Sequence, residues 1–265
     1  MQAIVGDMFV GASVSIRYPV RPNPEAWVIP EGPVPESTAH DAAVLRIYLL
    51  SIAWAQGRPG RVRAARNLAV RWLEQYPRTG IDPDVCVLDP APEAFDDDLS
   101  SLCLWKPGHV PPRFCVEVVS ASHPYKDYTA IQERYAALGT PELLVFDGLL
   151  YGPRSLGGPA PLQLWRRDAT GTFERVHFGS DPVFSQQLEA WLMVEGRDLV
   201  IAEDRAGTRR WLTEAERLQA TAERERAAAE RERAAAEHER AAAEHERQLR
   251  ADVERRLQEL LAKRG

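Results

Sequence analysis

The chain has 265 residues, of which 45% are hydrophobic and 27% charged, so it has enough apolar material for a packed core and is not disordered throughout. Residues 209–265 carry 14 Lys+Arg and 13 Asp+Glu, which leaves 19 basic and 26 acidic residues in 1–208, a net charge of −7. Proteins that coat nucleic acid non-specifically need a basic surface, so this acidic body argues against that class.

Three further features concern compartment and membrane. The segment from Met1 to Arg17 has no basic residue before its apolar stretch, so it does not resemble a secretory signal. The longest apolar stretch, Ala42 to Trp54, is too short for a membrane span and contains Arg46. Cysteines stand only at 86, 103 and 115, without a C-x-x-C pair, which favours neither a disulfide framework nor a zinc site. We therefore expect a soluble cytoplasmic protein that does not bind membranes.

The first predicted elements lie in the N-terminal quarter. Residues 1–36 are rich in Pro and Gly, and their short apolar runs at Met8–Ile16 and Ala26–Ile29 suit strands or extended cover segments. A largely apolar helix is predicted over His40–Gln56, capped by Ser37 or Thr38, whose hydroxyls accept bonds from unpaired N–H groups.

The middle of the chain alternates short apolar runs with turns. Continuous valine-rich runs predict buried strands, helical spacing before Gly139 predicts a helix, and paired runs joined by a turn predict a hairpin. The predicted strands are Leu68–Trp72, Val85–Leu88, Phe114–Val119, Glu142–Phe146 and the hairpin Leu162–Arg167 with Phe173–Phe178, and the predicted helices are Tyr125–Leu138 and Val183–Glu195. This order predicts an α/β fold of the mixed type, with a central mixed sheet flanked by helices.

The C-terminal segment is different in kind. A seven-residue Glu-Arg-Glu-Arg-Ala-Ala-Ala unit begins at 223 and 230 and recurs at 237 with His238 in place of the first Arg, and its charges pair along one helix. A solvated single helix and a coiled coil are both open, and the leucine-type residues from Leu249 to Leu261 favour pairing at that end. We expect two domains, 1–208 and 209–265, and a homo-oligomer formed through the C-terminal helix.

The candidate chemistry lies on two predicted strands. Asp84 begins the strand Val85–Leu88, and Glu117 lies inside the apolar run Phe114–Val119, where an ionised carboxylate is costly unless it is paired or binds a metal. Two carboxylates and a backbone carbonyl are oxygen ligands suited to Mg²⁺ or Mn²⁺, and Lys126 is near enough in sequence to assist. The alternative is structural: Glu117 pairs with Arg113 or Arg134, and Asp84 caps a turn.

Three blocks in this order resemble a known family. Pro83-Asp84-Val85, then Phe114-Cys-Val-Glu117-Val-Val-Ser120, then Arg134-Tyr-Ala-Ala-Leu-Gly139 with the strand that ends at Asp147, are similar to the Uma-two family of restriction endonucleases in the PD-(D/E)XK nuclease superfamily. The resemblance covers about residues 20–180. It implies a restriction-endonuclease-like mixed sheet and an Mg²⁺-dependent phosphodiesterase site, with Asp84 and Glu117 as the two carboxylates and metal ligands.

The lysine of that family has no direct counterpart. The compact superfamily motif has it two residues after the glutamate, where this chain has Val119, and many family members carry it on the following helix, where this chain has Ile131. Lys126 is the nearest substitute and Gln132 a neutral alternative. Glu36 on the first helix is a possible third carboxylate, or it only complements the helix N-terminus.

Two functions are therefore open. The first is a metal-dependent endonuclease that cleaves DNA with Asp84 and Glu117 as ligands and Lys126 assisting. The second is a nuclease fold whose site has decayed and that acts as an interaction module through its helical tail, which Ile131 and the acidic body favour.

Overall fold

A computed structural model describes residues 15–16, 23–29, 37–93, 95 and 99–262 of the chain. Glu36 and most of the run Met8–Ile16 lie outside the described residues, so the predictions made for them have no structural counterpart. The chain divides into two compact units, Met1–Thr213 and Glu214–Gly265. In the described part of the chain, no helix combines the length and the apolar character needed to cross a membrane.

The first helix confirms its predicted cap. Helix α1 spans Thr38–Gln56, and the Ser37 hydroxyl accepts a hydrogen bond from the backbone N–H of His40. Val44, Ile47 and Leu50 are buried on one side of the helix, at the three- and four-residue spacing that forms an apolar stripe.

Within the residues that the structure describes, twelve strands form three sheets. In chain order they are β1 Ser15–Ile16, β2 Arg63–Ala65, β3 Ala69–Arg71, β4 Val85–Leu88, β5 Ser101–Cys103, β6 Phe114–Val118, β7 Glu142–Phe146, β8 Leu162–Arg167, β9 Phe173–Gly179, β10 Val183–Ser185, β11 Ala190–Glu195 and β12 Asp198–Ala202. The central sheet has the order β1-β9-β8-β7-β6-β4-β2, and β6 and β7 are its parallel pair among the described strands. β10–β12 form an antiparallel meander, and β3 pairs with β5.

The central sheet is covered on both faces, which is why β4, β6 and β7 are continuous apolar runs. Val85, Val87 and Val116 pack in one core with α1 and the β10–β12 meander. Cys86 and Cys115, one position along, pack in a second core with the next helix. The predicted mixed α/β fold with a central sheet and flanking helices is confirmed.

The predicted helix Tyr125–Leu138 has an irregular first part. Lys126–Ala130 is a π-helical turn, in which the N–H of Ile131 donates to the carbonyl of Lys126 five residues earlier. Helix α2 follows over Ile131–Leu138 and ends, as predicted, at Gly139, whose positive φ of 90° suits glycine.

The predicted helix Val183–Glu195 is wrong, because this segment forms β10, a turn and β11. The Ser185 hydroxyl donates to Glu142, and the backbone N–H groups of Gln186 and Gln187 donate to the same carboxylate. These long-range bonds stabilise the turn, and a period of two then buries Ala190 and Leu192. The hairpin of β8 and β9 is confirmed.

The second unit is one long helix, α3, over Glu214–Ala262, as the charge repeat predicts. Ion pairs such as Arg250–Glu246 at 2.6 Å follow the i,i+4 spacing. Leu249, Val253, Leu257 and Leu260 are 54–66% exposed on it. The helix is confirmed, whereas its pairing into a coiled coil stays a prediction.

Candidate active site

Asp84 and Glu117 lie side by side at one end of the central sheet. β4 and β6 are antiparallel with Val85 opposite Val116, so the next pair in this register is Asp84 and Glu117. Asp84 Oδ2 accepts a hydrogen bond of 2.7 Å from the N–H of Val118. We call this end of the sheet, where β4 begins and β6 and β7 end, the carboxylate end.

Glu117 is a fully buried carboxyl group with two different partners. Its Oε1 accepts a 2.6 Å hydrogen bond from the hydroxyl of Tyr135 on α2, and its Oε2 lies 3.4 Å from Lys126 Nζ. Burial raises the pKa of Glu117 to about 7, with the positive charge of Lys126 opposing and the negative charge of Asp84 adding to the shift. Tyr135 is itself buried, and its hydrogen bond orients Glu117.

Lys126 reaches Glu117 because of the π-helical turn. In this turn the backbone hydrogen bond spans five residues instead of four, so Lys126 lies near the side of the helix on which Ile131 lies. Ile131 is itself buried in the core. The side chain of Lys126 is half exposed, and its Nζ also lies 3.6 Å from Asp127 Oδ1. The negative charge of Glu117 is the main cause that raises the pKa of Lys126, so the group is an ammonium ion.

Sequence reasoning missed Asp127. Burial, followed by the charge of Glu117, raises the pKa of Asp127 to about 8. Among the described residues its Oδ1 has no hydrogen-bond partner. The signal in the sequence is an acidic residue directly beside Lys126, on a stretch whose other inward positions, apart from Gln132, are apolar or aromatic.

His40 and Gln132 complete the surroundings. His40 Nε2 donates to the carbonyl of Val118 at 3.0 Å and lies 3.5 Å from Asp84 Oδ2, so α1 contributes to the same end of the sheet. Gln132 is buried, and its Nε2 donates to the backbone carbonyl of Asp127 at 2.7 Å. Gln132 thus contacts the π-helical turn.

Two other buried carboxylates, Glu142 and Asp147, have structural roles in this fold. Glu142 accepts bonds from Arg166, Ser185 and two backbone N–H groups. Asp147 accepts bonds from the Tyr128 hydroxyl and from two backbone N–H groups. Glu117 and Asp127 are equally inaccessible but have far fewer donors, which distinguishes them from these saturated carboxylates.

In the structural alternative Glu117 pairs with Arg113 or Arg134, but both arginines have other partners. Arg113 pairs with Asp89 at 2.6 Å, and Arg134 donates to the carbonyl of Ala26. Asp84 does accept a backbone N–H, but that N–H belongs to Val118, 34 residues away, and not to a local turn.

The donors at the carboxylate end fit a hard divalent cation. Asp84, Glu117 and the Val118 carbonyl offer oxygen atoms only, and Mg²⁺ is usually held by one or two carboxylates while it keeps several waters. The described residues include no cluster of three His, Cys, Asp or Glu side chains set to hold a metal. Glu117 accepts only one contact at each of its two oxygens, and the nearby Asp127 Oδ1 has no hydrogen-bond partner among the described residues, so these carboxylates have lone pairs left for a cation.

The burial of Glu117 should make the free energy of unfolding depend on pH. Because folding raises the pKa of Glu117 from 4.5 to about 7, the folded chain binds more protons than the unfolded chain within that window. The free energy of unfolding should therefore fall as pH rises from about 4.5 to about 7 in metal-free buffer, by at most about 1.4 kcal/mol per pH unit for one group. Urea denaturation across this range should show a shallower fall in Glu117→Gln.

Glu133, exposed on α2, supplies the matched control, and Glu133→Gln should keep the slope of the unmodified chain. Parallel curves for Glu117→Gln and the unmodified chain would contradict the assignment.

Comparisons with known proteins agree with the sequence resemblance. No curated protein matches the chain. Among solved structures the chain is similar to "a putative nuclease belonging to DUF820" from Anabaena variabilis ATCC 29413, with 13% identity and a TM-score of 0.40 over 59% of this chain and 76% of that chain. The sequence model of the Uma2 family, described as "Putative restriction endonuclease", matches residues 27–205, which is more than half of the chain and includes the whole carboxylate end. This family supports a nuclease-like function. The chain therefore belongs to the Uma2 family.

Proposed function

We propose that the chain is a metal-dependent endonuclease that hydrolyses phosphodiester bonds of DNA at the carboxylate end of its sheet. One observation carries the proposal: Asp84, Glu117 and Lys126, from two strands and a helical turn, meet there, with Glu117 buried and short of hydrogen-bond donors. Restriction-endonuclease-like families generally use divalent metals, in agreement with this donor set.

In the proposed mechanism Asp84, Glu117 and the Val118 carbonyl would hold Mg²⁺ or Mn²⁺. When bound, such a cation lowers the pKa of a coordinated water and offsets charge that develops on the phosphate. Tyr135 keeps the Glu117 carboxylate in one orientation by donating to Oε1. His40 fixes the Val118 carbonyl from the other face of the sheet.

Lys126 has the role of the cationic group. It is an ammonium ion whose half-exposed side chain has donors left for a phosphate oxygen after it contacts Glu117. A fixed donor aimed at developing charge stabilises a transition state more than it stabilises the substrate. Asp127, 3.6 Å from Nζ, limits where the ammonium can lie.

The second candidate function, a decayed nuclease fold that acts as an interaction module, rests on Ile131. This residue is buried in the core at the position where many family members carry their lysine. Under this hypothesis Lys126 only neutralises Glu117 and Asp127, and the chain has no cleavage activity.

Cleavage by matched variants separates the two candidates. The purified chain should nick plasmid DNA with Mg²⁺ or Mn²⁺, and Asp84→Ala and Lys126→Ala should each lose about a hundredfold or more in rate, since each removes a group that acts on the reacting phosphate. Asp89→Asn should cleave normally, because Asp89 lies at the other end of β4. Agarose-gel kinetics measures all four proteins, and cleavage that persists in Asp84→Ala contradicts the assignment.

We also propose that residues up to about 213 form the nuclease domain and that α3 pairs with a second copy through Leu249, Val253, Leu257 and Leu260. These side chains recur every three or four residues and are exposed in the single helix, so pairing would remove them from water. Light scattering should give a mass of more than one chain for the full protein and of one chain after truncation at Thr213. A mass of one chain for both would exclude assembly through α3.

A further inference from the structure

The register of the π-helical turn decides where Lys126 lies. An α-helix turns about 100° per residue, so the side chains at 126 and 135 would point in about opposite directions on a regular helix. Lys126 and Tyr135 nevertheless both reach Glu117. The turn Lys126–Ala130 makes this possible, because each π-helical bond encloses one residue more than an α-helical bond. Side chains that hold this register therefore also hold Lys126 at the candidate site.

Gln132 holds the register from within the helical segment. On a regular helix the N–H of Ile131 would donate to the carbonyl of Asp127, but here it donates to the carbonyl of Lys126. Gln132 Nε2 donates to the Asp127 carbonyl instead, at 2.7 Å. Gln132 Oε1 is buried and has no hydrogen-bond partner among the described residues, which costs free energy that a leucine would not cost. The donor group is thus what Gln132 contributes at this position.

Tyr128, in the middle of the turn, is held from outside by the connection between β7 and β8. Its hydroxyl donates to Asp147 Oδ2 at 2.8 Å and accepts from the N–H of Ala160 at 2.9 Å. The backbone of the connection lies close against the ring. A Cβ at Gly152 would overlap Cζ and Oη of Tyr128, and a Cβ at Gly158 would lie 2.6 Å from Cε1. We call Asp147, Gly152, Gly158 and Ala160 the tyrosine socket.

The socket is compatible with one register of the turn. The Asp147 carboxylate is itself fixed, because it accepts from the N–H groups of Tyr151 and Gly152 at 2.8 Å each. A return to α-helical pairing would rotate Tyr128 about the helix axis and withdraw it from the socket. We propose that Tyr128 and Gln132 are positioning residues, which hold the π-helical register and thereby keep Lys126 beside Glu117.

This inference rests on the proposed function for its effect on cleavage, so the first test locates Lys126 without cleavage. The chain has three lysines, and trace acetylation of the full chain followed by mass spectrometry compares Lys126 with the exposed Lys106. An ammonium group held against a carboxylate is acylated slowly. Tyr128→Phe and Gln132→Leu should each raise the ratio of Lys126 to Lys106 acetylation severalfold. Tyr125→Phe should leave it unchanged, because Tyr125 is 60% exposed beside the same turn.

Two further measurements separate positioning from folding. Gln132→Leu removes a buried oxygen without a partner, so its melting temperature should stay the same or rise even though Lys126 becomes more reactive. Gly152→Ala leaves the turn itself unaltered but places a methyl group where the Tyr128 ring lies, so it should also raise the reactivity of Lys126. Gly179→Ala is the matched control, because the nearest atom to its new Cβ is 4.0 Å away.

The consequence for cleavage is a loss that acts through Lys126. Tyr128→Phe and Gln132→Leu should each lower kcat about tenfold with little change in KM, since they displace a group that stabilises the transition state. In a chain that already carries Lys126→Ala, neither change should lower the rate further.

Unchanged Lys126 reactivity in Tyr128→Phe, Gln132→Leu and Gly152→Ala would overturn the positioning role and leave the proposed nuclease untouched. Cleavage losses that multiply with the loss in Lys126→Ala would overturn it as well, because the two residues would then act independently of Lys126. Raised Lys126 reactivity in a chain that does not cleave DNA would support the positioning role and refute the nuclease alone.

Discussion

The contact between Glu117 and Lys126 is the interaction on which the candidate site depends. Glu117 stands in β6, an inner strand of the central sheet, where an ionised carboxylate needs a counter-charge. Lys126 supplies it from the following helical segment at 3.4 Å, and Tyr135 supplies a hydrogen bond from two turns further on. The π-helical turn allows both Lys126 and Tyr135 to reach the carboxyl group of Glu117, because it places Lys126 on the side of the helical segment that faces the sheet.

The four buried carboxylates among the described residues fall into two kinds, two that hold loops in place and two that lie at the candidate site. Glu142 and Asp147 lie at opposite ends of β7, and backbone and side-chain donors occupy the acceptor sites of both carboxylates. Each carboxylate holds the backbone of one loop in a single conformation. Glu117 and Asp127 are left with few donors around one ammonium ion, so burial raises the pKa of each into the neutral range. A site that must accept a cation needs carboxylates of this second kind, since saturated ones have no free lone pairs to offer.

The sequence was informative where burial alone determines structure and uninformative where long-range contacts determine it. Continuous apolar runs identified β4, β6 and β7, and Ser37 identified the start of α1. The segment 183–195 was misassigned because Glu142, some 40 residues earlier, stabilises its turn. Asp84 and Glu117 were named as a pair, but the register that sets them side by side is a property of strand pairing, not of spacing. Asp127 was missed because its place at the site depends on Lys126 and Glu117 folding against it. Lys126 is one of three lysines in the chain, and it reaches Glu117 through the π-helical turn.

We propose that the carboxylate end binds a divalent cation through Glu117 and its neighbours. Calorimetric titration of Mn²⁺ into the full chain tests this binding at pH 8, where loss of the Glu117 proton favours metal binding. We expect saturable binding that disappears in Glu117→Gln and is retained in Asp89→Asn, which leaves the carboxylate end unchanged. Identical binding in Glu117→Gln, or no binding by the unmodified chain, would contradict it.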